Sequence, residues 1–351
     1  MTDKFDCGVI SLRDEGTYGS RIRALGVPVH AMCIRGTEGL IPAGRRISQL
    51  IKKFRPEIIQ GWMYHGNLAA SFASFTSSYN PIEIWNVRHC IYNISDEKYL
   101  TRYVIKANKL VSSRAKAIIY NSYTSKEQHE IFGFKKESSI VIPNGFDLLE
   151  LKQNIDTRNQ IKNALGINSS DLVIGHVARF HPLKDHATFL RSAVKVARQH
   201  TALHFVIIGR DVDLMNPVLT GIVPGDMVKR FHFLGECSDV YDKMQVMDIL
   251  CSSSVSEGFP NVLGEAMALG IPCVATDVGD SARVVSDTGI IVPPSEVDTL
   301  AQAMLNMLTL NPDQRKLLGK KARLRIETNY SLNNTVSRYA DLYEKFGSEA
   351  Q

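Results

Sequence analysis

Apolar and polar positions along this chain alternate between two periods. Strand-like apolar runs at 6–12, 28–34, 57–64, 82–89, 115–122 and 139–145 are separated by stretches with helical spacing. After the polar stretch LKQNIDTRNQIKNALGINSSD the pattern restarts, with runs at 172–180, 203–210, 230–236, 248–254, 271–277 and 289–294. Strands alternating with helices of this length predict parallel sheets joined by right-handed crossovers. Two such series predict an α/β architecture: two doubly wound, Rossmann-like domains over 1–150 and 151–330, facing across a cleft. The tail YSLNNTVSRYADLYEKF puts Leu332, Val336, Tyr339, Leu342 and Tyr343 on one stripe of a final helix over 331–351, which must pack on something.

Length supports the division, since 351 residues exceed one ordinary core. With 44% hydrophobic and 22% charged residues, the composition is globular. No apolar run reaches the roughly 18 residues that a membrane-spanning helix needs. The opening MTDKFDCGVISLRDEG lacks the basic start and apolar core of a signal peptide. Six cysteines lie scattered without C-x-x-C spacing, mostly in apolar runs, and read as reduced thiols of a cytoplasmic protein.

The net charge of +5 is unevenly placed: residues 1–150 hold 20 Lys and Arg against 14 Asp and Glu, and the remainder 21 against 22. Within the first half, AGRRISQLIKKFRPE sets Ile47, Leu50, Ile51 and Phe54 on one helical face, flanked by Arg45, Arg46, Lys52, Lys53 and Arg55. Such a helix either rests on an anionic membrane surface or packs on its own sheet with a solvated basic rim.

In open α/β sheets, ligands bind outside the carboxyl ends of the strands. Arg179 stands at the end of the strand run LVIGHVARF, and Lys184 follows just before a helix that Asp185 can cap. Two cations beside a helix start suit a phosphate. After DILCSSS, the turn Glu257-Gly258-Phe259-Pro260-Asn261 leads into a helix closed by Gly270 at a C′ position. Gly258 permits close backbone approach, and the amides near Asn261 and Val262 are orphan donors. Glu265, on the same helix, sits beside that anion site, which is unfavourable unless it accepts hydrogen bonds from hydroxyls. A ribose diol supplies them. Glu257 then reaches past the diphosphate to a further hydroxyl-rich group, and a sugar nucleotide fits every part.

The E-x7-E spacing of SEGFPNVLGEAMALGIPCVATDVG resembles the signature of retaining family 4 glycosyltransferases of the GT-B fold. GHVARFHPLKDH, IIGRDVDLMNP, FLGECSDV and VIPNGFD resemble the same family in order and spacing, and QGWMYHGNL and WNVRH look like its bacterial members that build O-antigen or other surface polysaccharides. The resemblance covers essentially the whole chain. It implies a donor site in the second domain, with Arg179 and Lys184 on the diphosphate, helped by the backbone of Gly258, Phe259, Pro260 and Asn261. It also implies Glu265 on ribose, Glu257 on the transferred sugar, and the loop Gly235, Glu236, Ser238, Asp239, Val240 beside the nucleobase. His89 resembles the first-domain histidine that contacts the donor sugar; His65 and Asn144 are weaker cleft candidates. The donor is a UDP- or GDP-sugar and the reaction is expected to need no metal.

Relatives of this kind begin with a strand, a glycine-rich loop and a helix that precede a stretch resembling KFDCGVISLRDEGTYGSRIRALGVPVHAM. The expectation is therefore a first domain lacking its first strand and helix, through a start assigned too late, a truncated gene, or a shortened protein with altered packing; the first of these predicts an in-frame upstream extension in the source DNA.

Together these imply transfer of a sugar, with retention, to a lipid-linked surface glycan at the cytoplasmic face of a bacterial inner membrane, the basic first domain toward the lipid. The final helix is expected to cross back onto the first domain, as in relatives. Two rivals stand beside this reading: a truncated, non-catalytic remnant that still binds nucleotide sugar, and a sugar-nucleotide epimerase. A dehydrogenase is disfavoured, since no G-x-G-x-x-G follows any strand to make the usual pyrophosphate turn. Nucleic-acid binding lacks an aromatic-interleaved basic cluster.

Overall fold

The computed structural model describes residues 4–36 and 39–350. Each of the twelve apolar runs contains a strand, in order β1 (Val9–Ser11), β2 (Val29–Ala31), β3 (Ile58–Trp62), β4 (Ile82–Val87), β5 (Ala117–Tyr120), β6 (Ser139–Val141), β7 (Leu172–Val177), β8 (Leu203–Ile208), β9 (Phe231–Phe233), β10 (Ile249–Ser252), β11 (Cys273–Thr276) and β12 (Gly289–Val292). The helices used below are α1 (Leu40–Phe54), α2 (Met63–Phe75), α3 (Tyr99–Val111), α4 (Tyr123–Phe132), α5 (His186–Gln199), α6 (Val240–Met244) and α7 (Asn261–Ala268). Two compact units result, one of Met1–Asn121, Ser125–Ile142 and Val336–Gln351, the other of Ser122–Thr124 and Pro143–Thr335.

The second unit holds one six-stranded parallel sheet in the order β12-β11-β10-β7-β8-β9. Its strands are buried, near-continuous apolar runs because both faces carry helices. One face packs Phe189 and Leu190 of α5 against Phe205 and Ile207 of β8. The other packs Leu263 and Met267 of α7 against Val206, Ile208 and Leu250. The order reverses between β7 and β10, the switch point at which a crevice opens beyond the strand ends.

The first unit holds a four-stranded parallel sheet, β3-β4-β5-β6, and a separate two-stranded parallel sheet, β1-β2. Helix α1 covers strands of both: its Ala43, Ile47 and Ile51 are buried in a cluster that includes Ile10 and Ile59. The middle of the apolar face of α1 is thus spent on its own unit, while Leu40 and Ile41 in its first turn and Phe54 at its end stay exposed. From Val336 onward, the C-terminal helix (Leu332–Ala350) contributes Tyr339 and Phe346 to the core of this unit, beside Ile84 and Ile119.

Candidate functional site

Of the residues singled out in the second unit, Lys184 and Glu257 meet beyond the ends of β7 and β10, where the strand order reverses. After β7 the chain makes a single 3-10 turn, Pro182–Lys184. Asp185 then adopts a left-handed conformation, and its carboxylate accepts from the Thr188 amide at the start of α5. This is the cap that the sequence predicts. Arg179 stands exposed just past the end of β7.

The loop after β10 is tied to this turn by backbone and hydroxyl contacts. Val255 N–H donates to the Leu183 carbonyl at 2.9 Å. Ser253 O–H lies 3.0 Å from the Lys184 carbonyl and 2.9 Å from that of Asp185. These contacts bring Lys184 Nζ within 2.5 Å of Glu257 Oε1, which also accepts from Ser254 O–H at 2.7 Å. Both members of the ion pair are mostly shielded from water, their side chains 24% and 12% exposed. The loop is pressed from outside by Gly279, whose φ is +56°. A Cβ there would sit 2.5 Å from the Glu257 carbonyl oxygen and 2.6 Å from that of Gly258. Only glycine suits both the conformation and the space.

Helix α7 follows. Phe259 is buried, stacked 6.1 Å from Phe146, and Pro260 has no N–H, so from Gly258 to Asn261 the available amides are those of Gly258, Phe259 and Asn261. Leu263 N–H already bonds the Pro260 carbonyl, which leaves the Asn261 and Val262 amides as the helix's orphan donors. Asn261 Oδ1 accepts from Asn144 Nδ2 at 2.6 Å, so Asn144 does reach this helix start. The far end closes as the sequence predicts. Gly270, at φ +71°, donates to Met267 and Ile271 to Ala266, a Schellman pair.

Glu265 projects from the middle of α7 and accepts from Tyr241 O–H at 3.3 Å. Burial pushes its carboxyl above the ordinary range, partly offset by the Tyr241 hydrogen bond. Tyr241 belongs to α6, directly after the loop carrying Gly235, Glu236, Ser238, Asp239 and Val240. In that loop, Glu236 lies 3.5 Å from Arg210, with both side chains in solvent. Helix α6, which follows the loop proposed for the base, therefore touches the carboxylate proposed for ribose through Tyr241.

In the first unit, His89 lies two residues past β4, and its Nε2 meets Glu97 Oε1 at 2.6 Å. Behind it Tyr64 sits edge-on at 6.0 Å and donates its hydroxyl to Nε2 of the buried His129 at 2.8 Å. His129 Nδ1–H in turn donates to the Ser125 carbonyl at 2.7 Å. His65 is exposed on α2. Sequence reasoning missed Ser254, Tyr241, Gly279 and Glu97. Gly279 ends the quoted E-x7-E segment and Ser254 ends the quoted run DILCSSS, whereas Tyr241 and Glu97 carry no local signal, because only the fold brings them to their carboxylate and imidazole. Among the described residues, no cluster of three or more His, Cys, Asp or Glu has the geometry to hold a metal ion.

Comparisons with known proteins identify the fold and the family. Residues 2–149 match the family described as Glycosyltransferase Family 4, and residues 171–310 match Glycosyl transferases group 1. EpsF of Bacillus subtilis is 33% identical over 143 residues, which is 41% of this chain and 37% of EpsF. An Escherichia coli UDP-Gal:alpha-D-GlcNAc-diphosphoundecaprenol alpha-1,3-galactosyltransferase is 24% identical over 208 residues, 58% of this chain and 53% of that enzyme. The chain thus spans about a third to a half of the length of these two curated relatives. Among solved structures, Anabaena Alr3699/HepE with UDP superposes at a TM-score of 0.82 with 19% identity, covering 96% of this chain and 92% of that one. The apo lipopolysaccharide outer core galactosyltransferase WaaB gives 0.69 with 15% identity, covering 97% and 100%. These likenesses show the GT-B fold. With its two halves matched in order by the two family descriptions, the chain belongs to the family 4 type of glycosyltransferases.

Proposed function

We propose that the chain transfers a sugar from a nucleoside diphosphate sugar to a hydroxyl of a lipid-linked surface glycan, with retention of configuration. The observation that carries this reading is the paired Lys184 and Glu257 at the switch point, with Glu265 one helix turn or more beyond. Arg179, Lys184 and the amides of Gly258, Phe259 and Asn261 receive the diphosphate. Glu265 accepts from the ribose hydroxyls and Glu257 from a hydroxyl of the transferred sugar.

In the transfer, the bond between the anomeric carbon and the diphosphate oxygen breaks, and the acceptor oxygen bonds to that carbon on the same face. The acceptor's proton passes to the departing phosphate oxygen, so no protein base is required. Negative charge grows on the diphosphate as it leaves. Fixed cations and amides stabilise it without reorganising, which lowers the barrier selectively in the transition state. The sequence-proposed loop from Gly235 to Val240 flanks the base. His89, held by Glu97, is assigned a hydrogen bond to the transferred sugar. Support for a UDP-sugar and a lipid-linked acceptor comes from the names of HepE with UDP and of the diphosphoundecaprenol galactosyltransferase.

The test is mass spectrometry of products from a panel of sugar nucleotides, each offered with and without lipid-linked acceptors. Glycosylated lipid is the expected product. A rearranged sugar nucleotide without acceptor points to an epimerase, and calorimetric binding with no product to a remnant.

A further inference from the structure

With the middle of the apolar face of α1 turned inward, a second surface of the first unit holds the features of a lipid contact. Helix α3 buries Ile105 and Asn108 completely, and Asn108 Nδ2 donates to the Tyr64 carbonyl at 3.0 Å. The opposite face carries Tyr99, Tyr103, Lys106 and Leu110 at i, i+4, i+7 and i+11, which is one stripe of an α-helix. Tyr99 is 67% exposed, Tyr103 53% and Leu110 80%. Ile131 of α4, also 80% exposed, lies near the same end, where Lys109 Nζ sits 5.2 Å over the ring of the adjacent Phe132. This outward apolar face is not needed by the core beneath it.

The charge of α3 is one-sided. From Lys98 to Lys116 the chain carries six Lys or Arg and no Asp or Glu, whereas α4 adds Glu127 and Glu130, the latter paired with Lys126. Arg102 and Arg114 of this set are engaged internally, with the Glu97 carbonyl and Glu83. Lys98, Lys106 and Lys109 remain exposed along the helix. Tyrosine rings with outward hydroxyls, an exposed leucine and flanking lysines are what the headgroup level of a bilayer accommodates. A purely polar anion would have no use for Leu110, and a neutral bilayer none for the lysines.

We infer that the outward face of α3, centred on Tyr103, Lys106 and Leu110, docks the chain flat onto an anionic lipid surface. Its biological sense rests on the reading of a lipid-borne acceptor, while the contact itself needs no substrate. Among the described residues no helix is long and apolar enough to cross a membrane, so the contact is peripheral.

The experiment is flotation of the full chain with vesicles of phosphatidylcholine alone or with a quarter phosphatidylglycerol, in the absence of sugar nucleotide. Wild type is expected to float with the anionic vesicles and to be released by salt. Each lysine reversed on α3 lowers partition by at least about five-fold, so K106E/K109E loses at least about 25-fold. Y103S/L110S also loses binding, whereas K52E/K53E, the same charge change on α1, loses markedly less. Thermal melting by circular dichroism checks folding. If a double variant melts early, Leu110→Gln alone takes its place.

The inference is overturned if wild type floats equally with neutral vesicles or with none. Equal losses for K52E/K53E and K106E/K109E overturn it too, because binding then follows net charge alone. Sugar transfer to a water-soluble acceptor is measured in parallel. A chain that transfers without floating defeats this inference, and one that floats but never transfers defeats the functional reading.

Discussion

Lys184 and Glu257, 73 residues apart in sequence, form an ion pair of 2.5 Å at the point where the second unit's strand order reverses. The pair holds a cation and a carboxylate side by side, both side chains mostly shielded from solvent. Removing Lys184 takes the counter-charge from a mostly shielded carboxylate, which costs more than the pair contributes. Lys184→Ala is expected to lower nucleoside diphosphate affinity about 10- to 100-fold, the range for a charged hydrogen bond. Glu257→Gln, which keeps the shape, is expected to leave that affinity within a few-fold and lower kcat by about 100-fold. Calorimetry and initial rates on the two variants separate the roles.

Glu265 gives a pH dependence with a definite sign. Its folded-state pKa is raised, burial being the larger cause and Tyr241 opposing it. With Glu265 in its proposed ribose role, nucleotide recognition is expected to be complete above that raised pKa and to weaken as pH falls through it. The folded state also binds more protons than the unfolded chain between the ordinary and raised values, so this group's contribution to stability declines as pH rises across that window. Calorimetric titration of nucleotide from pH 7.5 downward is expected to show affinity falling, and Glu265→Gln is expected to bind weakly with a flatter profile.

Acid should destabilise the fold through buried neutral imidazoles. Burial holds His129, His186 and His232 down at about 4, and His176 well below its ordinary value. The unfolded chain protonates these groups first, near 6.5. Their stabilising contribution is therefore present above that value and is lost as pH falls toward 4, at up to about 1.4 kcal/mol per pH unit for each group. Denaturant melts at pH 7.5, 6 and 5 measure the slope, and His129→Gln is expected to reduce it.

Gly279→Ala tests the loop that presents Glu257. The added methyl meets two carbonyl oxygens at a left-handed φ, so it is expected to cost about 2 kcal/mol or more and to weaken donor binding. Denaturation and nucleotide titration on the same sample read both effects.

Much of this was legible in the residues because strand and helix differ in period. All twelve strands fall inside the apolar runs, and Asp185 and Gly270 occupy the cap positions their chemistry favours. The direction of α1 was not legible: its apolar stripe suits a membrane and a sheet equally, and packing with Ile10 and Ile59 decides it. Contacts that depend on chain crossing were also hidden. Tyr241 meets Glu265 because α6 and α7 share a sheet face, and Glu97 meets His89 across a loop whose path no periodicity encodes.

The most direct test of the central claim is a crystal structure of the chain soaked with UDP and, separately, GDP. The account predicts ribose hydroxyls at the Glu265 carboxylate and phosphate oxygens within hydrogen-bond reach of Arg179, Lys184 and the Asn261 amide. A nucleotide bound at full occupancy away from those residues would contradict it.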